Sequence, residues 1–204
     1  MLVTGQLFGI LETTSGSQYR QGFTFIRFRP RAFLFVGQWV DLNYMNQSND
    51  NQKMHQFMGV DLNIQTWNLI AKKDRDEKDD IKMIFFAKAS LHHWRKSSNY
   101  QPVNEQRGQW LISHVFAVLN RGDEALVHAE TCMDITMNES LKDFDLAYAY
   151  ECKARAFAAL GKPEKMNKCF VNAKTSGEKI IKDEDRNLFF SDLHSDPWYE
   201  CSAH

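Results

Sequence analysis

The chain has 204 residues, of which 43% are hydrophobic, and its formal net charge at pH 7 is -1. This apolar content is normal for a globular protein with a core, and the length fits one domain or one domain with an extension. The near-zero net charge supplies no overall attraction to nucleic acid or to an acidic membrane surface. No uncharged apolar run approaches the ~20 residues of a membrane helix. We therefore expect neither a nucleic-acid partner nor a membrane partner.

The cysteines and the first residues indicate a compartment. Cys132, Cys152, Cys169 and Cys201 lie far apart and form no CxxC pair, which is typical of reduced thiols rather than of a disulfide framework. The first residues, MLVTGQLFGIL, contain no basic stretch and are followed by Glu12, so no signal peptide is expected. The sequence predicts a cytoplasmic protein.

The first 44 residues differ in composition from the rest of the chain. They hold nine aromatic residues, whereas all fifteen lysines lie after residue 52. Alternating side chains over residues 23–28, the break at Pro30 and a second run over residues 33–40 predict two short strands. The Asn- and Gln-rich stretch that follows, NYMNQSNDNQKMHQ, predicts a linker.

Two interpretations of this region stay open. Residues 1–53 are either a β-like or disordered N-terminal extension with its linker, or they include translated upstream sequence placed before the native start. In the second case residues 1–44 are not part of the native protein, and Met45, Met54 and Met58 are the nearby methionines. In both cases residues 54–204 are expected to form the folded domain.

From about residue 60 the pattern predicts helices. Helices are expected at about 60–72 and 77–97, then over 105–119 with Asn104 as its cap, 123–137, 144–160 and 163–181. Gly161 follows one helix and Pro163 begins the next, as the residue preferences of helix ends favour. A short helix is expected in DEDRNLFFSDL. The fold class is therefore all-α.

One phrase occurs twice, 41 residues apart. FAVLNRGDEALVHAETCM begins at Phe116, and FAALGKPEKMNKCFVNAK begins at Phe157. Each phrase contains a helix end, a two-residue turn and the next helix. In this register small residues recur where two helices would cross, as in the pair Ser113 and Ala154 and the pair Cys132 and Ala173. The repeat predicts helical hairpins that stack on one another.

The repeat resembles the tetratricopeptide repeat (TPR), a helix–turn–helix unit of about 34 residues. The second copy matches it at Ala154, Phe157, Gly161, Phe170 and Ala173, and the first copy matches more loosely at Ser113, Phe116, Asn120 and Ala125. The likeness covers roughly residues 104–180. Residues 60–200 are also similar to a group of uncharacterised bacterial TPR-like proteins, through TWNLIAKKDRDE, HHW, RGQWLIS, DFDLAYAYE and PWYE. No activity comes with this resemblance.

A stable array needs about three such units. We therefore expect the helices at about 60–72 and 77–97 to form a degenerate first hairpin. The C-terminal segment NLFFSDLHSDPWYE is expected to cap the last hairpin with Phe189, Phe190 and Trp198. The expected architecture is a short TPR-like solenoid of antiparallel hairpins.

The resemblance also implies a binding groove. In a TPR array the first helices of the hairpins line a concave surface, and the 41-residue register assigns six residues to it: Arg107, Trp110, His114, Tyr148, Glu151 and Arg155. Aromatic residues mixed with arginine are typical of binding hot spots. The alternative is that Trp110 and Tyr148 pack on the preceding hairpin. The TPR clamp for C-terminal carboxylates uses Lys and Asn, but in this chain Trp110 and His114 stand at the first pair of those positions. The resemblance therefore does not imply that specificity.

A metal site is the second hypothesis. His128 and Cys132 lie four residues apart on one helix face, a spacing that can chelate, and His114 and His93 could complete the set. Adjacent residues such as His92 and His93 point about 100° apart on a helix, so they cannot both bind one ion directly. Each of these side chains also has a structural interpretation at a helix interface. We expect no bound metal, no cofactor and no catalytic residue, since no nucleophile–base or phosphate-loop motif is present.

The function expected from the sequence is that of an interaction scaffold of TPR type. Its partner would be a protein or a peptide, or a second copy of the chain. The rival is a small helical metalloprotein or enzyme that uses the histidines. A third hypothesis is one component of a larger complex, with no independent activity.

Overall fold

A computed structural model describes residues 42–201, with side chains from Asp50 onward. This part of the chain consists of helices and turns without a strand, so the all-α class is confirmed there. The helices are α1 (Leu42–Ala71), α2 (Glu77–Lys96), α3 (Pro102–Val118), α4 (Gly122–Asn138), α5 (Phe144–Ala159), α6 (Pro163–Gly177) and α7 (Asp183–Leu193). The strands expected at 23–28 and 33–40 lie outside the described residues.

The helices pack neighbour to neighbour. Three hairpins form from consecutive helices: the first from α1 and α2, the second from α3 and α4, and the third from α5 and α6. Successive hairpins pack through the pairs α2–α3, α3–α5 and α4–α5, and α7 packs on α5 and α6. This arrangement is compatible with a helical repeat. Within residues 42–201, no helix combines the length and the apolar character that crossing a membrane requires.

The repeated phrase forms the same turn twice. Asn120 and Gly161, 41 residues apart, both have positive φ, at 57° and 62°. The N–H of Arg121 donates to the carbonyl of Phe116 at 2.9 Å, and the N–H of Lys162 donates to Phe157 at the same distance. These bonds are those of a Schellman helix end, in which a left-handed residue lets the chain satisfy the last free carbonyls.

Small residues allow the hairpins to approach closely. Ala125, Ala129, Ala147, Ala154 and Ala173 are fully buried. A Cβ added at Gly122 would lie 2.6 Å from the Cγ of Leu160, which is too close for a carbon contact. The second and third hairpins therefore meet at a distance that a side chain at Gly122 would not allow.

The C-terminal segment covers the third hairpin. Phe189 and Trp198 are buried, and Trp198 packs edge-on against Phe170 of α6 with ring centroids 5.2 Å apart. Phe190 is half-buried against the same core. The expected cap is confirmed.

Two expectations about helix limits are wrong. Helix α1 begins at Leu42, so it runs through the stretch that was expected to be a linker. The expected division into domains between residues 53 and 54 stays a prediction. Asn and Gln cost a helix only about 0.7 kcal/mol or less per residue, and residues 42–58 contain no Gly or Pro to end it. Helix α3 begins at Pro102; Asn104 lies inside its first turn, where its side chain accepts from the N–H of Gln101 at 2.8 Å.

Candidate functional site

The six residues assigned to the groove lie on α3 and α5, which pack on each other. Five of them form one buried cluster, the Glu151 cluster: Trp110, His114, Tyr148, Glu151 and Arg155. The expectation of an open concave face is wrong for these five side chains, since Trp110 is 4% exposed, Arg155 1% and Glu151 0%. The sixth, Arg107, lies at the edge, where its Nε is 2.8 Å from a carboxylate oxygen of Asp145.

Glu151 is the centre of the cluster. One carboxylate oxygen accepts the indole N–H of Trp110 at 2.9 Å, and the other accepts Nε of Arg155, one helical turn further along α5. The same oxygen lies 3.9 Å from Nδ1 of His114. A buried carboxylate is costly unless it is paired and hydrogen-bonded, and here both oxygens have a donor. The cluster therefore joins α3 to α5 by polar contacts inside an apolar interface.

Arg155 extends the cluster to the C-terminal segment. Its guanidinium donates to the carbonyl oxygens of Asp192 at 2.7 Å, Ser195 at 3.2 Å and Pro197 at 3.3 Å. Its central carbon also lies 4.4 Å from the ring centroid of Trp198. A cation at the C-terminal end of a helix interacts favourably with its free carbonyls and its dipole. Arg155 therefore holds the end of α7, and the C-terminal segment covers its guanidinium, which was expected to be open.

Tyr148 and Asp192 make a second contact with this segment. The Tyr148 hydroxyl donates to the Asp192 carboxylate at 2.7 Å. Burial raises the pKa of Asp192 from 3.8 to about 6, and burial also raises the pKa of Tyr148 well above its usual 10.0. Both shifts favour the neutral forms of the two groups, the Tyr148 hydroxyl and the Asp192 carboxylic acid, because water reaches them poorly.

On the other side, α1 covers the cluster with Trp67. Its ring centroid lies 5.6 Å from Trp110 and 5.4 Å from His114. Burial lowers the pKa of His114 from 6.5 to about 4, and the Arg155 charge lowers it further. His114 is therefore a neutral imidazole at neutral pH. Its Nδ1 and the Nε1 of Trp67 are buried without a hydrogen-bond partner among the described residues.

The four side chains of the metal hypothesis do not assemble. His114 belongs to the Glu151 cluster, and Nδ1 of His128 lies 2.7 Å from Oε1 of Gln109 while its ring stacks on Phe116. Cys132 is buried beside Cys152, whose thiol pKa is raised by burial. His93 contacts His55 instead. Within residues 42–201, no group of three or more His, Cys, Asp or Glu side chains is placed to hold a metal ion.

The sequence contained part of the information that α7 covers the side chains assigned to the groove. The 41-residue register continues past the two visible copies: Phe189, Asp192 and Trp198 stand 41 residues after Tyr148, Glu151 and Phe157. Helix α7 thus repeats the first helix of a hairpin and would be expected to pack on α5. Trp67 and His55 had no comparable signal, because α1 falls outside the register.

No match is found when the chain is compared with models of protein families, with curated proteins and with solved structures. The likeness to the tetratricopeptide repeat therefore depends on this chain's own register, turns and helix packing.

Proposed function

We propose that the protein is a TPR-type scaffold that binds a partner protein through the outer face of its first hairpin. Ten large hydrophobic residues are exposed in the described part of the chain, and five of them lie on α1 and α2: Met54, Phe57, Ile64, Ile81 and Phe85. Phe57 is 66% exposed and Phe85 67%. Scattered exposed apolar residues are ordinary, but a concentration of them marks an interaction site.

Helical spacing divides these five residues, the first-hairpin face, into two stripes. Met54, Phe57 and Ile64 are three and seven residues apart, so they share one side of α1. Ile81 and Phe85 are four residues apart on one side of α2. The two helices pack on each other, and each presents an apolar stripe that the described chain does not cover.

The charges on α2 indicate the chemistry of the partner. Lys78 and Lys82 are exposed within one or two turns of Phe85 on the same side of the helix. Three acidic residues lie in the first turn of α2, and from Ile81 to Lys96 the helix contains none. Complementary charge favours encounter and register at an interface. The expected partner is therefore an amphipathic segment that combines apolar side chains with Asp or Glu.

The TPR assignment is part of the same proposal. It is supported by the 41-residue register, by the identical turns at Asn120 and Gly161, and by packing between successive hairpins. The docking face proposed here is not the concave groove of that family, because the groove positions of this chain are filled by the Glu151 cluster.

The test compares partner capture by matched surface variants. The full chain is compared with Phe57→Ser/Phe85→Ser and with the control Val127→Ser/Val171→Ser, which changes two comparably exposed residues on α4 and α6. Surface changes of this kind usually alter stability by less than about 0.5 kcal/mol each, and circular dichroism verifies folding. Captured proteins are joined with a zero-length carbodiimide reagent, which links a lysine amine to a carboxylate.

The proposal expects a partner that the control variant captures and the Phe57/Phe85 variant loses. It further expects crosslinks from Lys78 or Lys82 to Asp or Glu of that partner. Equal capture by both variants would overturn the proposal. Crosslinks to Glu12 or Asp41 would show instead that the chain's own N-terminal part covers this face. A dimer that light scattering detects in the native chain, and not in the Phe57/Phe85 variant, would identify a second copy as the occupant and overturn the choice of a different partner.

A further inference from the structure

Two histidines meet between the helices of the first hairpin. Nδ1 of His55 on α1 lies 2.8 Å from Nδ1 of His93 on α2, and their ring centroids are 4.9 Å apart. Both side chains are half-buried, so solvent reaches them. They are 38 residues apart in the chain, and the sequence pattern gives no reason to pair them.

The register of the two helices is fixed around this pair. The Ser90 hydroxyl donates to the carbonyl of Gly59 at 2.6 Å, one turn along α1 from His55. Beyond the end of α2, the Asn99 amide donates to Oε1 of Gln56 at 2.9 Å. These contacts flank His93 in sequence and lie within four residues of His55, so the two imidazoles are presented to each other by a hairpin whose register is already set.

The separation of the two nitrogens has a chemical meaning. Imidazole nitrogens bind first-row divalent metals at ~2.0–2.1 Å. Two nitrogens in neighbouring positions of a square-planar or octahedral ion, at 90°, are therefore ~2.8–3.0 Å apart, whereas a tetrahedral ion needs ~3.3 Å. The distance of 2.8 Å fits the first geometry, which Cu²⁺ and Ni²⁺ prefer. In the absence of a metal, one neutral imidazole donates a hydrogen bond to the other.

We propose that His55 and His93 form a two-histidine binding site for a divalent transition metal, with Cu²⁺ and Ni²⁺ preferred over Zn²⁺ and water in the remaining positions. This site is separate from the docking face and does not depend on it. It departs from the expectation of no bound metal, and it uses only His93 of the ligands in the alternative metal hypothesis. A bound ion would crosslink α1 to α2 and stabilise the first hairpin.

The surroundings allow binding and limit its strength. Burial lowers the pKa of His93, with smaller contributions from His55, His92 and Lys96. The lowered pKa favours the neutral imidazole, which is the form that binds a metal. Lys96 is also a cation close to the site, and it repels a metal ion. With two protein ligands and this repulsion, the affinity is expected to be modest.

The experiment uses the full chain without an affinity tag and Cu²⁺ alone as the probe. Thermal unfolding is followed during a copper titration, and electron paramagnetic resonance identifies the ligands. We expect saturable binding of one ion, an axial Cu²⁺ spectrum with hyperfine coupling to imidazole nitrogen, and a rise in Tm. At a hundredfold excess over the dissociation constant, the ratio of folded to unfolded protein rises about 100-fold.

Matched variants assign the site. His55→Gln and His93→Gln should each abolish the copper-dependent rise in Tm, while His92→Gln, an exposed neighbour on the same helix, should retain it. Copper binding that persists in His55→Gln would overturn the proposal, as would a native chain that shows no saturable binding because the pair is a hydrogen bond only. Phe57→Ser/Phe85→Ser should bind copper normally, so failure of the docking proposal and failure of this one are distinguishable.

Discussion

Replacing Asp192 with asparagine tests whether burial of this carboxylate makes the stability of the C-terminal segment depend on pH. The Asp192 carboxylate accepts a hydrogen bond from the Tyr148 hydroxyl at 2.7 Å. Burial raises the pKa of Asp192 from 3.8 to about 6; the Tyr148 hydrogen bond lowers it, the nearby Glu151 raises it and Arg155 lowers it. Asparagine keeps the size of the side chain and an acceptor for Tyr148, but it cannot ionise.

The sign of the pH effect on stability depends on whether the folded or the unfolded protein binds the proton of Asp192 more tightly. Between pH 3.8 and about 6, folded protein holds a proton on Asp192 that the unfolded chain has lost. The contribution of Asp192 to the free energy of unfolding is therefore complete below pH 3.8 and falls as pH rises to about 6. The difference between these two pKa values corresponds to about 3 kcal/mol. Because water still reaches part of the carboxylate, we expect Asp192→Asn to gain roughly 1–3 kcal/mol over the native chain at pH 7 and almost nothing near pH 4.

Urea unfolding at intervals from pH 4 to pH 8 measures this difference directly. Asp134→Asn is the control, since it makes the same substitution at an exposed position on α4. A difference between Asp192→Asn and the native chain that does not change with pH would refute the burial argument. A difference of the opposite sign at pH 7 would show that the negative charge of Asp192 is needed beside Arg155.

Variants at three further positions test the Glu151 cluster and the repeated turn. His114→Gln should show the opposite dependence on pH. Because the pKa of His114 is lowered to about 4, this residue adds to the stability of the native chain as pH rises from about 4 to 6.5. In urea unfolding, the native chain should therefore exceed the variant in stability by the largest amount above pH 6.5. Arg155→Ala should destabilise the protein by roughly 3–5 kcal/mol, because it leaves Glu151 buried without its cation. A loss below about 1 kcal/mol in the same assay would show that Arg155 lies on an open surface. Gly161→Val should cost roughly 1–2 kcal/mol in thermal unfolding through its positive φ, whereas Gly161→Asn should be tolerated, as Asn120 is in the same turn; equal losses for both would contradict this explanation.

Local signals predicted the helices well. The limits of α2 and the turn at Gly161 follow from acids at one helix end, bases at the other and a glycine after the last turn, all of which act within a few residues. The first half of α1 carries none of these signals. Its Asn and Gln residues are weak but permitted helix formers, and polar composition alone does not distinguish a solvated helix from a linker.

The prediction of an open groove came from the geometry of the TPR family. It was wrong because the burial of these side chains depends on parts of the chain that are distant in sequence. Spacing correctly placed Trp110, Glu151 and Arg155 on facing helices. It could not show that the carbonyls of residues 192–197, about 40 positions further on, would occupy the guanidinium of Arg155. His55 and His93 are likewise brought together by the register of a hairpin, which the composition of either helix does not specify.

The two ends of the described array differ, and the difference explains why docking is proposed at the first hairpin. At the third hairpin, α7 is held by a buried arginine that donates to three backbone carbonyls and stacks on Trp198. A partner could reach that surface only by displacing contacts of a buried charge, which cost several kcal/mol to break. At the first hairpin, a partner would cover Phe57 and Phe85, whose exposed apolar surface gains roughly 25 cal/mol for each Å² removed from water. Binding there requires no rearrangement of the described core, so loss of capture without loss of stability in the Phe57/Phe85 variant is the outcome that distinguishes a docking face from a structural one.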